Sequence, residues 1–436
     1  MTNLVHISDI HFSQPRTAAH FDEYSSIRSA CLADVRSLVS QYGPAQTILV
    51  TGDISARGTE KEFNLVEAWF IDLCSAAGCE QYNVCIVPGN HDVDRSVIEK
   101  SVLIKTVHDV LRNENNEKAR DQRFTEFLSD QEMAKGLVSP LHDYNEFATQ
   151  YDSTTTVASL NWTRQQPLDY GYTLKITGFN SVLLSDGNDD DEKNRLMLGS
   201  IQSLGEITRG VIEISMCHHP PDWLFDHDNL HDRFKHRFQM QLFGHKHTPR
   251  VDRLVETCII RAGALQPKDE AGYLPQYSFL RLGIDRSDAD YIDMEIYRRE
   301  WNAEEQDFVG MPPPHAHRIP VPDRRTLFGK EHQVDAASES ESPKVVSAEK
   351  PEALVRPSED DARALVYDFQ SLGKIEQRRI LEELELIDEE DKTRYDGATV
   401  VRYFAKARED RKTGRLWQLV QQALGRADAA NPFEGF

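Results

Sequence analysis

Val84-Cys85-Ile86-Val87-Pro88-Gly89-Asn90-His91-Asp92 runs from four apolar residues straight into a glycine and three side chains that bear chemistry. A short apolar run bounded by Pro and Gly reads as a buried strand. The ends of such strands are where open sheets place their sites. Working outward, four more clusters follow apolar runs in the same way: Asp9-Ile10-His11 after Leu4–Ser8, Gly52-Asp53 after Thr47–Thr51, His218-His219-Pro220-Pro221 after Val211–Cys217, and Gly244-His245-Lys246-His247 after Gln239–Phe243. Residues two apart in an extended chain project to one side, so Asp9 with His11, and His245 with His247, are expected to face one cavity. The glycines before Asp53, Asn90 and His245 are expected to let the chain turn sharply as it leaves each strand. A lone Asp-x-His or Gly-Asp is commonplace, but five such clusters in order, each behind an apolar run, are not.

The donors Asp9, His11, Asp53, Asn90, His218 or His219, His245 and His247 are nitrogen and oxygen without thiolate, a set that suits Mn²⁺, Fe or Zn²⁺ rather than Ca²⁺ or a structural zinc. Seven are too many for one ion. They suit two divalent ions about 3.5–4 Å apart that share a carboxylate, the arrangement used for in-line attack on phosphorus.

Further strands are expected at Tyr172–Ile176, Ser181–Leu184, Cys258–Arg261, Tyr277–Leu282 and Tyr291–Tyr297, and helices at Tyr24–Gln41 and Glu60–Ala76. Crossover units early and strand-to-strand segments late give an α/β fold with two packed sheets and helices outside. About 94–156 is charged, helix-prone and poor in strand signals, and reads as a helical insertion over one sheet edge. The metal-bearing domain is thus placed at 1–305. Residues 306–357 read as a proline-rich and disordered linker, with Asp335–Asp360 the part poorest in apolar residues. Residues 358–436 read as a small all-α domain, with its cleanest apolar stripe at Leu416, Trp417, Leu419, Val420, Ala423 and Leu424.

The chain has 436 residues and a net charge of −22, which argues against a generic nucleic-acid binder. Its six cysteines form no CxxC pair and read as small buried hydrophobes. With no long apolar run and no leader-like start, no membrane partner and a cytoplasmic location are expected.

In this order the clusters resemble the calcineurin-like metallophosphoesterase superfamily, whose pattern is D-x-H, GD, GNH-[D/E], H and GHxH, over about residues 4–296. The resemblance implies a four-layer αββα sandwich. It assigns Asp9, His11, Asp53 and His247 to one metal, and Asp53, Asn90, His218 or His219, and His245 to the other, with Asp53 shared. His218 is preferred, since the family often carries its ligand histidine two residues before a proline. His91 corresponds to the catalytic histidine, with Asp92 behind it. The implied enzyme is a metal-dependent phosphoric ester hydrolase using a metal-bridging hydroxide on a nucleotide or nucleic-acid diester. Within the superfamily the spacing and His-His-Pro-Pro look closest to the cyclic-nucleotide phosphodiesterase-like branch; the insertion departs from its small members. The C-terminal helices, with Leu384–Asp391 followed by Arg402–Trp417, resemble the death-like adaptor domains of bacterial conflict-system effectors. That implies a protein partner or self-association through 358–436, and a nuclease effector as the alternative function.

Other polar residues are discounted: His227, His231 and His236 in a charged helical loop, though one could reach a substrate phosphate, His315 and His317 in the proline-rich stretch, the acidic run Asp189–Glu192 as solvated, and Lys246 turned away from the ligand side. Arg57 reads as a surface residue or one that meets a substrate phosphate.

Overall fold

The computed structural model describes residues 1–13, 24–188, 192–203, 205, 207–208, 210–267, 272–285, 291–312 and 314–321, and then 365, 368–369, 372, 374–387, 403–404, 406–408, 410–424, 426 and 431–433. The expected tether Asp335–Asp360 and the helix around Val400 and Val401 lie outside these residues. The chain divides into two compact units, Met1–Glu331 and His332–Phe436.

The first unit opens with β1 (Thr2–Ile7), α1 (Ser25–Tyr42), β2 (Thr47–Val50), α2 (Glu60–Ala77) and β3 (Val84–Ile86). The expected insertion is a run of helices: α3 (Arg95–Lys100), α4 (Val102–Asn113), α5 (Glu117–Ser129), α6 (Gln131–Val138) and α7 (His142–Ala148). Then come β4 (Asn161–Pro167), β5 (Thr173–Phe179), α8 (Ser200–Ser203), β6 (Val211–Cys217), α9 (His227–Arg237), β7 (Met240–Phe243), β8 (Arg250–Arg253) and β9 (Cys258–Arg261). Four long-range antiparallel partners follow: β10 (Gln276–Ile284), β11 (Tyr291–Asn302), β12 (Asp307–Gly310) and β13 (His315–Pro320).

One sheet has the order β12-β11-β10-β1-β2-β3, with β13 also on β11; the other is β4-β5-β6-β7-β9-β8. β1, β2 and β3 run parallel, as do β5, β6, β7 and β9. Period-two alternation sorts the side chains between layers. Leu4, Leu49 and Cys85 from one sheet pack with Ile176, Ile214, Met216 and Leu242 from the other in one core. Val5, Ile7, Ile48, Val50, Val84 and Ile86, from alternate positions, pack instead with Cys31, Val35, Phe70 and Leu73 of α1 and α2. The α/β sandwich expected from the motifs is the observed fold, and every cluster leaves the C-terminal end of a parallel strand.

The insertion is anchored on both flanks. Phe147 stacks on Phe63 of α2 at 5.1 Å, and Arg112 of α4 bonds the Asp186 carboxylate and the Leu184 carbonyl. Its caps are local: Asp94, Ser101, Asn116 and Asp130 each accept a backbone N–H from the helix they precede.

Two expectations need correction, and one strand was not foreseen. The strand placed at Ser181–Leu184 is not one; the Asn180 side chain takes the Val182 N–H at 2.9 Å and turns the chain there. β4 went unread because its face is largely polar, as an outer strand's is. The linker does not begin at 306, because β12 and β13 both pair with β11 and carry the sheet through Pro320. Proline at 312 and 314 hides this, though the chain resumes pairing at His315.

In the second unit α10 (Lys374–Glu383) and α11 (Thr413–Ala423) gather Leu365, Phe369, Ile380, Leu381, Tyr403, Leu416, Trp417, Leu419 and Val420 into their own core. Ala423 and Leu424, from the expected stripe, pack against it. No described helix is long and apolar enough to cross a membrane.

Candidate metal centre

The ends of β1, β2, β3, β6 and β7 converge, and with them Asp9, His11, Asp53, Asn90, His91, Asp92, His218, His219, His245 and His247. Most are buried outright: Asp9, Asn90, Asp92, His218 and His219 are 0% exposed. Four overlapping groups each hold three donor atoms within 4.8 Å of one another: Asp9, His11 and His247; Asp9, Asp53 and His218; His11, Asp53 and His91; and His218, His219 and His245. Asp9, His11, Asp53 and His218 each occur in two groups.

The local backbone is not the extended one the spacing suggested. Asp9, His11, Asp53, His245 and His247 all have left-handed φ, between 48° and 69°. For a residue with a Cβ that conformation costs roughly 1–2 kcal/mol, and it persists only where the surroundings over-determine it. Each Asp-x-His and His-x-His pair is therefore delivered by tight turns. The glycines divide similarly. Gly52 turns, at φ 89°, whereas Gly89 has no positive φ and is required for space: a Cβ there would lie 2.1 Å from Asp53 Oδ1.

The contacts around Asp53 set the geometry. Its Oδ1 accepts the His91 backbone N–H at 2.8 Å, and its Oδ2 lies 3.4 Å from His218 Nε2 and 3.8 Å from His11 Nε2. His218 Nε2 is also 3.1 Å from Asn90 Oδ1, and its Nδ1 is 2.7 Å from the Thr51 carbonyl oxygen. His219 turns the other way: Nδ1 meets Ser181 Oγ at 2.9 Å and its ring lies 4.4 Å from that of His245. On the far side His247 Nε2 is 3.2 Å from Asp9 Oδ1, whose partner oxygen accepts the His245 backbone N–H at 3.3 Å.

Asp92 bonds main-chain donors of two loops. Its carboxylate accepts the N–H of Ile54 and Ser55, the Ser55 hydroxyl and the N–H of Gly89. It thereby ties the loop after β2 to the loop after β3. The His91 ring is instead set by the Ala56 carbonyl, 3.0 Å from Nδ1.

Electrostatics show what the cluster wants. Burial alone would strip the proton from His218, yet Asp53 and Asp9 carry it up to about 10. Burial works against ionising Asp9, but the hydrogen bond and charge of His247 hold it at about 2. Asp53 is held well below the usual carboxylate range by His218 and His91, against the same burial. Asp92, by burial and the neighbouring Asp53, rises to about 7. Two buried carboxylates that retain their charge and force a proton onto a buried imidazole make a site short of positive charge. Divalent cations with nitrogen and oxygen preference fit it.

Most of the discounted residues meet partners outside the donor set. His227, His231 and His236 fall on α9, His227 against the Leu224 carbonyl and His236 against Glu256. His315 and His317 are in β13, His317 against the Leu254 carbonyl. Lys246 pairs with Asp222, and most of the acidic run at 189–191 is outside the described residues. Sequence reading passed over Trp223, whose ring centroid is 4.5 Å from that of His245, and Tyr273, 6.1 Å from His247. Neither sits in a motif; only the placement of Trp223 just past His-His-Pro-Pro hinted at it.

The profile of the calcineurin-like phosphoesterases matches residues 2–249, and that of the GTPase-associated adaptor domain matches residues 361–422. Among solved structures, a single-mutant Vps29 from Entamoeba histolytica is similar at 11% identity, over 73% of this chain and 99% of that one, with a TM-score of 0.30. Vps29 from Chaetomium thermophilum gives 10%, 74%, 98% and 0.29, and a hypothetical protein from Pyrococcus horikoshii gives 11%, 70%, 91% and 0.32. No curated protein matches the chain.

Proposed function

The chain belongs to the calcineurin-like phosphoesterase family, and on that premise we propose that it is a dinuclear-metal phosphodiesterase acting on a nucleotide-type diester. The observation that supports this is the position of Asp53, whose Oδ2 faces both His218 and His11, with Asn90 against His218 and His91 grouped with His11. In this reading Asp9, His11 and His247 would hold one divalent ion, Asn90, His218 and His245 would hold the second, and Asp53 would be shared. Mn²⁺ is the preferred metal, with Fe or Zn²⁺ as alternatives. The ions, when bound, supply Lewis acidity toward phosphoryl oxygens and lower the pKa of water.

The chain's own residues do the rest. Thr51, through its carbonyl, sets the His218 ring so that Nε2 faces Asp53 and Asn90. His91, with Nδ1 against the Ala56 carbonyl, keeps Nε2 to carry a proton to the leaving alkoxide, a step worth ~10²–10⁴ in rate. Asp92 keeps the loops that carry Asp53 and His91 in register. A metal-supplemented panel tests the reading: bis-p-nitrophenyl phosphate, cyclic nucleotides, DNA and RNA. Metal-dependent cleavage of the chromogenic diester is expected, and none with any member would contradict it.

A second reading is favoured by the adaptor match at 361–422. In it the enzyme is a nuclease effector of a bacterial defence system, and the small helical domain captures a protein carrying a like domain, such as a GTPase-associated one. Pull-down with and without residues 358–436 tests the capture.

A further inference from the structure

Beside His245 the chain assembles a cluster that none of the metal motifs requires. Trp223, at the end of the turn after His-His-Pro-Pro, sets its ring 4.5 Å from that of His245. Lys193 Nζ stands over the indole at 5.2 Å and Lys246 Nζ at 5.7 Å. Both lysines reach Oδ2 of Asp222, Lys193 at 3.4 Å, and Arg261 approaches Oδ1 at 3.9 Å. Arg261 also pairs with Asp252 at 3.1 Å, so three cations here meet two carboxylates, in a chain whose net charge is −22.

That excess sits beside the place where divalent ions are proposed to bind, and like charges there repel. An anion spanning the two regions removes the repulsion. Lys193 is open to such a ligand, with its side chain 50% exposed, while Lys246 and Arg261 are part-exposed at 23% and 20%. An open cleft of about 740 Å³ adjoins the cluster at Asp222 and Arg261 and is lined also by Lys235, Arg250, Asp252 and Glu256. The cluster thus sets an indole for a base and ammonium groups for a phosphate beside His245.

We propose that Lys193, Lys246 and Arg261, held around Asp222 and Trp223, bind the phosphate adjacent to the one cleaved, so that the substrate is an oligonucleotide strand rather than a cyclic mononucleotide. This rests on the phosphodiesterase reading above and narrows it.

The test compares four substrates with added Mn²⁺: bis-p-nitrophenyl phosphate, the thymidine dinucleotide TpT, and the same dinucleotide with an extra phosphate at its 5′ or its 3′ end. One phosphorylated dinucleotide is expected to exceed TpT in kcat/KM by roughly tenfold, as expected for one charge-assisted contact, and through KM rather than kcat. Lys193→Gln with Lys246→Gln should erase that advantage and leave bis-p-nitrophenyl phosphate cleavage within about twofold. Equal values for all three dinucleotides, an advantage that survives the double substitution, or a cyclic mononucleotide turned over faster than every dinucleotide overturns the proposal. Loss of bis-p-nitrophenyl phosphate cleavage in the wild-type protein itself would instead bring down the phosphodiesterase reading, and this proposal with it.

Discussion

Asp53 and His91 are joined through the main chain: the Asp53 Oδ1 accepts the backbone N–H of His91 at 2.8 Å, while Oδ2 of the same carboxylate faces His218 and His11. The residue proposed to hold both metals therefore also fixes the loop that carries the proposed proton donor. Metal binding and proton delivery share one anchor but use different atoms, so they can be separated by substitution.

His91→Ala should retain metal while losing turnover in proportion to how badly the leaving group needs a proton. For alkyl diesters the expected loss is ~10²–10⁴, and for p-nitrophenyl esters much less. Parallel kcat measurements on both substrate types check this. Equal losses would assign His91 to phosphate positioning instead.

Asp92→Ala should destabilise the fold as well as the site. Its carboxylate satisfies three backbone N–H groups and the Ser55 hydroxyl. Each buried donor left bare costs about 1–3 kcal/mol. Denaturant unfolding of metal-free protein should show the loss, and an unchanged midpoint would mean the two loops hold their register without it.

How much of this was legible beforehand follows from range. Five of the parallel strands, β1, β2, β3, β6 and β7, were readable because each is a short apolar run that stops at a cluster, as Val84–Ile86 stops before Asn90. β4 and β13 were not, since one is largely polar on its outer face and the other follows prolines; only pairing with β5 and β11 makes them strands. The residue types of the site were legible, and their convergence is the fold's doing. The way Asp9 and His11 reach one cavity was not legible, because a left-handed φ at both leaves no trace in residue type. Nor was the partner of Asp92: Gly89 is three residues away, but Ile54 and Ser55 belong to another strand's loop.

Lowering the pH should loosen the helical insertion. His108 on α4 is buried, and burial together with Arg112 depresses its pKa to about 4, against the opposing pull of Asp186, Asp109 and the Leu183 backbone. Above the unfolded value of about 6.5 both states are neutral and the stability is intact. As pH falls below that, the unfolded chain takes up the proton first, so stability is lost between about pH 6.5 and 4, by up to about 3 kcal/mol. His108→Leu should flatten that part of the pH profile of unfolding. A profile identical to wild type would show that His108 is not the group responsible.

Removing residues 332–436 should leave hydrolysis of a small chromogenic diester unchanged, since the first unit carries its own cores and every proposed ligand. What should disappear is association, read by light scattering and pull-down. Loss of basal catalysis on truncation would make the tail part of the catalytic structure.

The most direct test of the central claim is elemental analysis of wild-type and Asp53→Asn protein, paired with bis-p-nitrophenyl phosphate turnover. The account predicts two divalent ions per wild-type chain, and a joint fall in metal content and activity in the variant while its circular dichroism is kept. A variant that still holds two ions and turns over at the wild-type rate would contradict the shared role of Asp53, and with it the dinuclear centre as drawn.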